Sequence, residues 1–231
     1  MSMAADLIPL AGTVACFAAA DLLHTRTGHH PLTHPVLVTI AVVSAVLLVT
    51  DLPYADYFAS ADVLHLMLGP ATVALAVPMH QHWDRLKGLG VPLGVTLVLG
   101  SVAAMALSAG FAALGQASDK TFATLLPKSA TAPVAMDLAA RLGGIPALAA
   151  ALVILTGTIG AAFGPPWLAR LGLRDPRAVG FAMGLVAHGI GTAAAFRVGP
   201  IAGVFATLGM ALNAVMTTAL VAVISLVYSA A

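Results

Sequence analysis

Two long stretches of this chain, residues 88–114 and 201–228, contain no charged side chain. A helix needs about 20 apolar residues to cross the hydrocarbon core of a bilayer, and both stretches exceed that length. The whole chain is 60% hydrophobic and 8% charged, with a mean hydropathy of +1.01, whereas soluble domains contain about 25% charged residues. The sequence therefore predicts an integral membrane protein and excludes a soluble globular fold.

Apolar segments recur along the chain. We expect an all-α fold, a polytopic transmembrane helical bundle that forms one integral membrane domain over residues 1–231. The 22 glycines and 14 prolines predict interrupted helices, because such breaks are tolerated inside a bundle. On the length criterion there are about seven or eight hydrophobic segments, at 7–23, 35–50, 61–79, 88–114, 121–142, 145–164, 179–196 and 201–228.

Segment 121–142 leaves the topology open, because Pro127 and Pro133 interrupt it. If it crosses the membrane, the Lys and Arg residues divide almost evenly between the two sides. If it is re-entrant, they divide six against three, a bias that favours the re-entrant form with the N-terminus outside. The breaks expected at Gly69-Pro70 and at Gly191 would then have opposite orientations, which is typical of an inverted repeat.

Lys128 is the strongest candidate for function within the apolar segments. A cation near the bilayer centre costs at least about 2.5–3.5 kcal/mol, and Lys128 stands between Pro127 and the hydroxyls of Ser129 and Thr131. With a half-helix N-terminus, these groups would complete an anion site that suits a carboxylate. The alternative is a lysine that snorkels at a membrane edge.

A second candidate group lies in the interrupted segment 179–196. His188 would titrate, bind a proton or hydrogen-bond a substrate, and Gly191 and Thr192 provide close backbone approach and one hydroxyl. Thr72, beside the expected Gly-Pro break, is the corresponding hydroxyl in the N-terminal half. The alternatives are a histidine satisfied by the backbone of a neighbouring helix and glycines that serve helix packing.

The chain offers little for catalysis. It contains no Glu, so the HExxH zinc motif with its general base is absent, and neither a Gly-x-Ser-x-Gly elbow nor a P-loop occurs. Most of its histidines lie in predicted loops without metal-ligand spacing. A net charge of +1 gives no electrostatic footprint for nucleic acid. We therefore expect no enzyme, no catalytic or metal-binding residues, no cofactor and no nucleic-acid partner.

A series of motifs around and beyond Lys128 matches a known family. Residues 127–135 read Pro-Lys-Ser-Ala-Thr-Ala-Pro-Val-Ala, and this resembles the motif Pro-Lys-Ser-x-Thr-x-Pro-(Ile/Val)-Ala of the LrgB/CidB family. The resemblance extends over nearly the whole chain, with further matches at 34–37, 53–58, 68–78, 143–146, 154–157, 164–166, 174–176 and 188–192.

The resemblance implies an integral protein of the bacterial inner membrane, of a class called antiholin-like. Bacterial relatives are linked to pyruvate movement, and a plastid relative to glycolate and glycerate exchange. We therefore expect a secondary transporter of small monocarboxylates that works by alternating access around broken helices. The alternative is an antiholin-like regulator of a small holin-like pore protein, which would affect murein hydrolase export and lysis.

Partners and coupling also follow from the resemblance. Besides a carboxylate substrate and the lipid bilayer, the family implies a small LrgA/CidA-type membrane protein as partner, and a homo-oligomer is left open. The chain has Gly184-Leu185 where Gly-Thr is usual. It also lacks the family's basic residue at Ala194 and its acidic residues at Arg197, Pro200 and Ala202, so the coupling ion is left open.

Overall fold

The computed structural model describes residues 3–28 and 30–229. The structure is 85% helical, and over the described residues it contains no strand. The predicted all-α fold is therefore confirmed. In chain order the helices are α1 (Met3–Arg26), α2 (Pro35–Thr50), α3 (Tyr54–Ala74), α4 (Ala76–Gln81), α5 (Trp83–Leu86), α6 (Gly90–Leu114), α7 (Asp119–Leu125), α8 (Ala132–Arg141), α9 (Pro146–Arg170), α10 (Pro176–Val198) and α11 (Pro200–Ser229).

Five helices of the described part are long and apolar enough to cross a membrane: α1 from Ile8 onward, α6, α9, α10 and α11. The helix α2 is also apolar but has only 16 residues. At 1.5 Å per residue, the 25 residues of α6 or α9 extend farther than the hydrocarbon core of about 30 Å. The polytopic helical membrane architecture expected from the sequence is thus confirmed.

The chain folds as two compact units, Met1–Val77 and Pro78–Ala231. In the first unit, α1 packs against α2 and α3. The hydroxyls of Thr13 and Tyr57 hydrogen-bond at 2.8 Å, which ties the first helix to the third. The single membrane domain over residues 1–231 stays a prediction.

The structure of the first unit contradicts one predicted helix break. Gly69-Pro70 does not break the third segment, because α3 continues through Pro70 as far as Ala74. The chain leaves helical geometry at Leu75, just before α4 begins. A proline removes one backbone donor, but a helix in a membrane protein can continue past it when neighbouring groups satisfy the freed carbonyl. The inverted repeat stays a prediction.

In the second unit, segment 121–142 doubles back on itself. Its helices α7 and α8 have 7 and 10 residues, which is too short for either to cross a bilayer. After α8 the chain returns to α7, where the Ile145 N–H donates to Thr124 Oγ1 at 2.9 Å. Gly144 lies against the same threonine. The segment is therefore a helical hairpin, and we call residues 126–131 the hairpin tip.

The helix α10 lies between α9 and α11. Gly180 and Gly184 face the backbone of Ala202 and Ala206 on α11 so closely that a Cβ would not fit. Small residues at such positions let two helices approach backbone to backbone. On the other side, three glycines of α9 contact side chains of α10, namely Gly157, Gly160 and Gly164.

Candidate functional site

The hairpin tip is shaped by turns of its own backbone. The Lys128 N–H donates to the Leu125 carbonyl at 3.2 Å, and the Ala130 N–H donates to the Pro127 carbonyl at 2.9 Å. Thr131 then takes an extended conformation, with φ −67° and ψ 153°, and is the N-cap of α8. Its hydroxyl makes no capping hydrogen bond, and the first N–H groups of a helix have no intrahelical partner. The Thr131 hydroxyl and the unpaired N–H groups at the start of α8 are therefore polar donors that follow Lys128 within a few residues.

Lys128 differs from the surface cations in what surrounds it. It is half-buried, and within residues 3–28 and 30–229 no ion pair involves it. An ammonium removed from water without a counter-ion is electrostatically suited to an anionic ligand. By contrast, three exposed cations pair with aspartates at 2.6–2.7 Å, in Lys87–Asp84, Arg141–Asp137 and Arg177–Asp175.

The helix α10 is broken at His188, near its middle. The backbone there has φ 42° and ψ −132°, a conformation that costs a non-glycine residue about 1–3 kcal/mol. The ring is 4% exposed, lies against Gly157 and hydrogen-bonds to the backbone of Val153 on α9. Its Nε2 is buried and has no hydrogen-bond partner among the described residues. The neighbouring helix therefore satisfies one of the two ring nitrogens.

Gly191 and Thr192 support this break. The Thr192 hydroxyl donates to the His188 carbonyl at 2.8 Å, and its side chain is 2% exposed. Gly191 faces Ala187 and the Met183 carbonyl at distances that leave no room for a Cβ. Both residues thus have a local structural role at the point where the helix is interrupted.

One amide connects the hairpin tip to the broken helix. Asn213 on α11 is 1% exposed, and its Nδ2 donates to the carbonyls of Ser129 at 2.7 Å and Leu185 at 2.9 Å. Its Oδ1 accepts from Ser101 Oγ at 2.7 Å and from Thr217 Oγ1 at 3.5 Å. Ser101, Leu185 and Asn213 lie near the middles of α6, α10 and α11. The hairpin tip therefore reaches the middle level of three long helices.

These contacts bring several of the predicted residues together. The Ser129 carbonyl beside Lys128 and the Leu185 carbonyl before the break bond to the same amide, and the depth of the tip argues against a lysine that snorkels at a membrane edge. We call the following set the interior site: Lys128, Ser129, His188, Thr192 and Asn213.

Three other predicted residues lie outside this set, and one of them, Gly191, has the structural role at the break described above. Thr131 follows the interior site in the chain, as the N-cap of α8. Thr72 belongs to the first unit, and its side chain lies outside the described residues. The proposed roles of all the predicted site residues stay predictions.

Asn213 is the residue that the sequence analysis missed. It is the only asparagine in the chain, and it stands within an uncharged and mostly apolar helix of 30 residues. An amide in such a place must hydrogen-bond inside the protein, because lipid offers no partner. Its rarity and its apolar surroundings were the available signal, but they do not identify the partners.

The interior site is separate from a large groove of the second unit. A cavity of 330 Å³ between α6, α7 and α11 is lined entirely by apolar residues, at Val102, Met105, Ala106, Ala109, Phe122, Leu126, Leu220 and Ile224. Lys128 and His188 do not line it. In the part of the chain that the structure describes, no three His, Cys, Asp or Glu side chains cluster as metal ligands.

Comparison with known proteins points to one family. A family model described as the LrgB-like family matches residues 13–227. The uncharacterized protein YwbG of Bacillus subtilis (strain 168) is 35% identical over 185 residues, which cover 80% of this chain and 82% of that protein. An uncharacterized protein of Haemophilus influenzae is 34% identical over 185 residues, which cover 80% of each chain. No solved structure matches the chain significantly.

Proposed function

The chain belongs to the LrgB-like family of membrane proteins, and from that premise we propose that it is a secondary transporter of small monocarboxylates of the pyruvate, glycolate or glycerate class. The observation that carries the proposal is Lys128, a half-buried cation with no acidic partner in the described ranges, beside the break in α10. A singly charged carboxylate would supply the missing negative charge.

The surroundings of Lys128 suit a carboxylate rather than a larger or more highly charged anion. One ammonium group neutralises one carboxylate, and charge-assisted hydrogen bonds to it are short and strong. The hydroxyl of Thr131, which caps no helix N–H, and the N–H groups of Ala132 and Val134 at the start of α8 are neutral donors that follow Lys128 in the chain. Within residues 3–28 and 30–229 no ion pair includes Lys128, and the residues that follow it in the hairpin tip, Ser129 and Ala130, are small.

Alternating access around broken helices is the mechanism that fits this arrangement. Discontinuous helices near the bilayer midplane hold the substrates of many secondary transporters. Here the hairpin tip and the break at His188 are two such discontinuities in the second unit, and Asn213 bonds to both segments. We assign the protein to the bacterial inner membrane, with a small LrgA/CidA-type protein as a candidate partner.

Counterflow into proteoliposomes tests the proposal. The purified chain is reconstituted alone, and uptake of labelled pyruvate and glycolate is measured for wild type, Lys128→Gln and Lys87→Gln. We expect saturable counterflow that falls about ten- to a hundredfold in Lys128→Gln, because a charged hydrogen-bond donor is lost. Lys87→Gln is the matched control, since Lys87 is an exposed lysine that pairs with Asp84.

Two results would contradict the proposal. Counterflow that is the same in Lys128→Gln and wild type removes Lys128 from the substrate site. If folded wild-type protein shows no saturable counterflow, the chain is not a carrier on its own, and the antiholin-like regulator is favoured. Flux measured after adding the small holin-like subunit then tells whether a partner is required.

A further inference from the structure

We infer that Asn213 is the positioning residue of the monocarboxylate site: its amide holds the hairpin tip against the broken part of α10 and so sets the separation between Lys128 and His188. This inference rests on the proposed function and deepens it. Asn213 itself need not touch the substrate, because it acts through the two segments that it joins.

The two amide hydrogens of Asn213 bond to backbone carbonyls close in the chain to Lys128 and to His188. One goes to the carbonyl of Ser129 at 2.7 Å, and Ser129 directly follows Lys128. The other goes to the carbonyl of Leu185 at 2.9 Å, three residues before His188. A single planar NH₂ group therefore fixes both backbones at a defined distance from each other.

The orientation of the amide is determined by its neighbours. Carbonyl oxygens only accept hydrogen bonds, so the nitrogen must face Ser129 and Leu185. On the other side, the hydroxyl of Ser101 donates to Oδ1 at 2.7 Å. The two carbonyls thus set the orientation of the amide, because reversing it would place its oxygen against two other carbonyl oxygens.

The Leu185 carbonyl lies just before the break in α10. In a regular helix that carbonyl accepts from the N–H four residues later, here Gly189, which lies beyond the non-helical His188. The Asn213 amide therefore gives the Leu185 carbonyl a side-chain donor next to the interrupted backbone.

A purely structural role is the competing interpretation, and kinetics separate the two. A structural tie affects how much folded protein survives, whereas a positioning residue affects the affinity for substrate in the protein that is folded. Counterflow of glycolate and pyruvate therefore has to be resolved into KM and maximal rate, alongside thermal unfolding in detergent. The variants are Asn213→Leu, Asn213→Gln and, as control, Ser101→Ala.

We expect Asn213→Leu to raise KM by about tenfold or more, as the loss of two hydrogen bonds implies, with the maximal rate of the folded protein changed much less. Asn213→Gln keeps the amide but moves it by one methylene group, so KM should also rise. Ser101→Ala removes a buried bond to Oδ1 but leaves both N–H contacts, so it should lower the melting temperature without raising KM.

The outcomes separate this inference from the proposed function. If wild type shows no saturable counterflow, the proposed function falls, and this inference falls with it. If wild type transports and a folded Asn213 variant keeps the wild-type KM, only the inference is overturned. A rise in KM of equal size in Ser101→Ala also overturns it, because general loosening would then explain the effect. Asn213→Gln serves as the test if Asn213→Leu does not fold.

Discussion

The helices α6 and α10 have nearly the same length, 25 and 23 residues, and both are apolar enough to cross a bilayer. They differ in their surroundings: 28% of the most apolar stretch of α6 is buried, against 61% for α10. The helix α6 presents large apolar side chains such as Leu107 and Phe111 outward and is continuous. The helix α10 is enclosed by α9 and α11 and is broken at His188.

This difference shows that backbone breaks and polar groups accumulate where protein, and not lipid, surrounds a helix. An unsatisfied backbone group facing lipid costs several kcal/mol, so a break in an exposed helix would be strongly disfavoured. At the break in α10, the amide of Asn213 and the hydroxyl of Thr192 lie within hydrogen-bond distance of the backbone. Close packing around α10 is therefore a condition for the interior site.

The largest effect is expected from a substitution that separates α10 from α11. Gly184→Leu drives a side chain into the Ala206 carbonyl, a backbone atom that cannot swing aside. Overpacking a tight core costs about 1–3 kcal/mol, and more where backbone must move. We expect most of the folded protein to be lost, as measured by monodisperse yield on size exclusion and by thermal unfolding in detergent.

Gly110→Leu on α6 is the matched control. Nothing lies within 4 Å of a Cβ built at Gly110, and leucine favours a helix over glycine by about 0.8 kcal/mol. We therefore expect the melting temperature to stay the same or rise. If both leucine variants lose folded protein equally, enclosure is not what distinguishes the two helices.

The long helices and the presence of a break in α10 could be predicted from the sequence, because the residues that indicate them are close together in the chain. The lengths of the uncharged stretches predicted the long helices. The glycines after His188 predicted a break at Gly191, and the structure contains one three residues earlier, at His188. The same reasoning was wrong at Gly69-Pro70, where α3 continues. A Gly-Pro pair indicates that a break is possible, but packing decides whether it occurs.

The rest depends on contacts between distant residues. The hairpin doubles back through a hydrogen bond between Ile145 and Thr124, 21 positions apart, and the distribution of Lys and Arg among the loops gave only a modest bias toward that topology. Asn213 bonds to residues 84 and 112 positions away. No periodicity encodes such pairings, so the polar connection inside the second unit had to come from the structure.

An intermediate effect is expected from removing one hydroxyl at the break. Thr192→Val keeps the side-chain shape but loses the hydrogen bond to the His188 carbonyl, whose non-helical ψ of −132° turns it away from the usual helical direction. A buried hydrogen bond of this kind contributes about 1 kcal/mol. The free energy of unfolding should fall by about that amount in a denaturant titration.

Ser108→Ala on α6 provides the matching measurement in a continuous helix. The Ser108 hydroxyl is also 2% exposed and also donates to the carbonyl four residues earlier, at 2.8 Å. That carbonyl belongs to a regular helix, and alanine is the better helix former, so we expect a smaller loss than for Thr192→Val. A loss as large as that of Thr192→Val would show that the break gives the hydroxyl no special role.

The smallest effect is expected at the start of α10, and it depends on pH. Asp175 is the N-cap of α10 and accepts from the Arg177 N–H at 2.9 Å. Hydrogen bonds from the Arg177 side chain and backbone hold the pKa of the Asp175 carboxyl below its usual range. The helix α6 begins after Leu89 without a side-chain cap, so it has no corresponding titration at its start.

A carboxyl whose pKa is lowered on folding stabilises the folded state above its ordinary pKa of about 3.9, and this contribution is lost as the pH falls through the lower folded value. The difference in melting temperature between wild type and Asp175→Ala should therefore be largest near neutral pH and shrink below about pH 4. Asp175→Asn keeps a capping oxygen without the charge, so its melting temperature relative to Asp175→Ala should not change with pH over that range. If wild type and Asp175→Asn respond to acid identically, the pH dependence arises elsewhere in the chain and the charged cap does not contribute to the difference between α10 and α6.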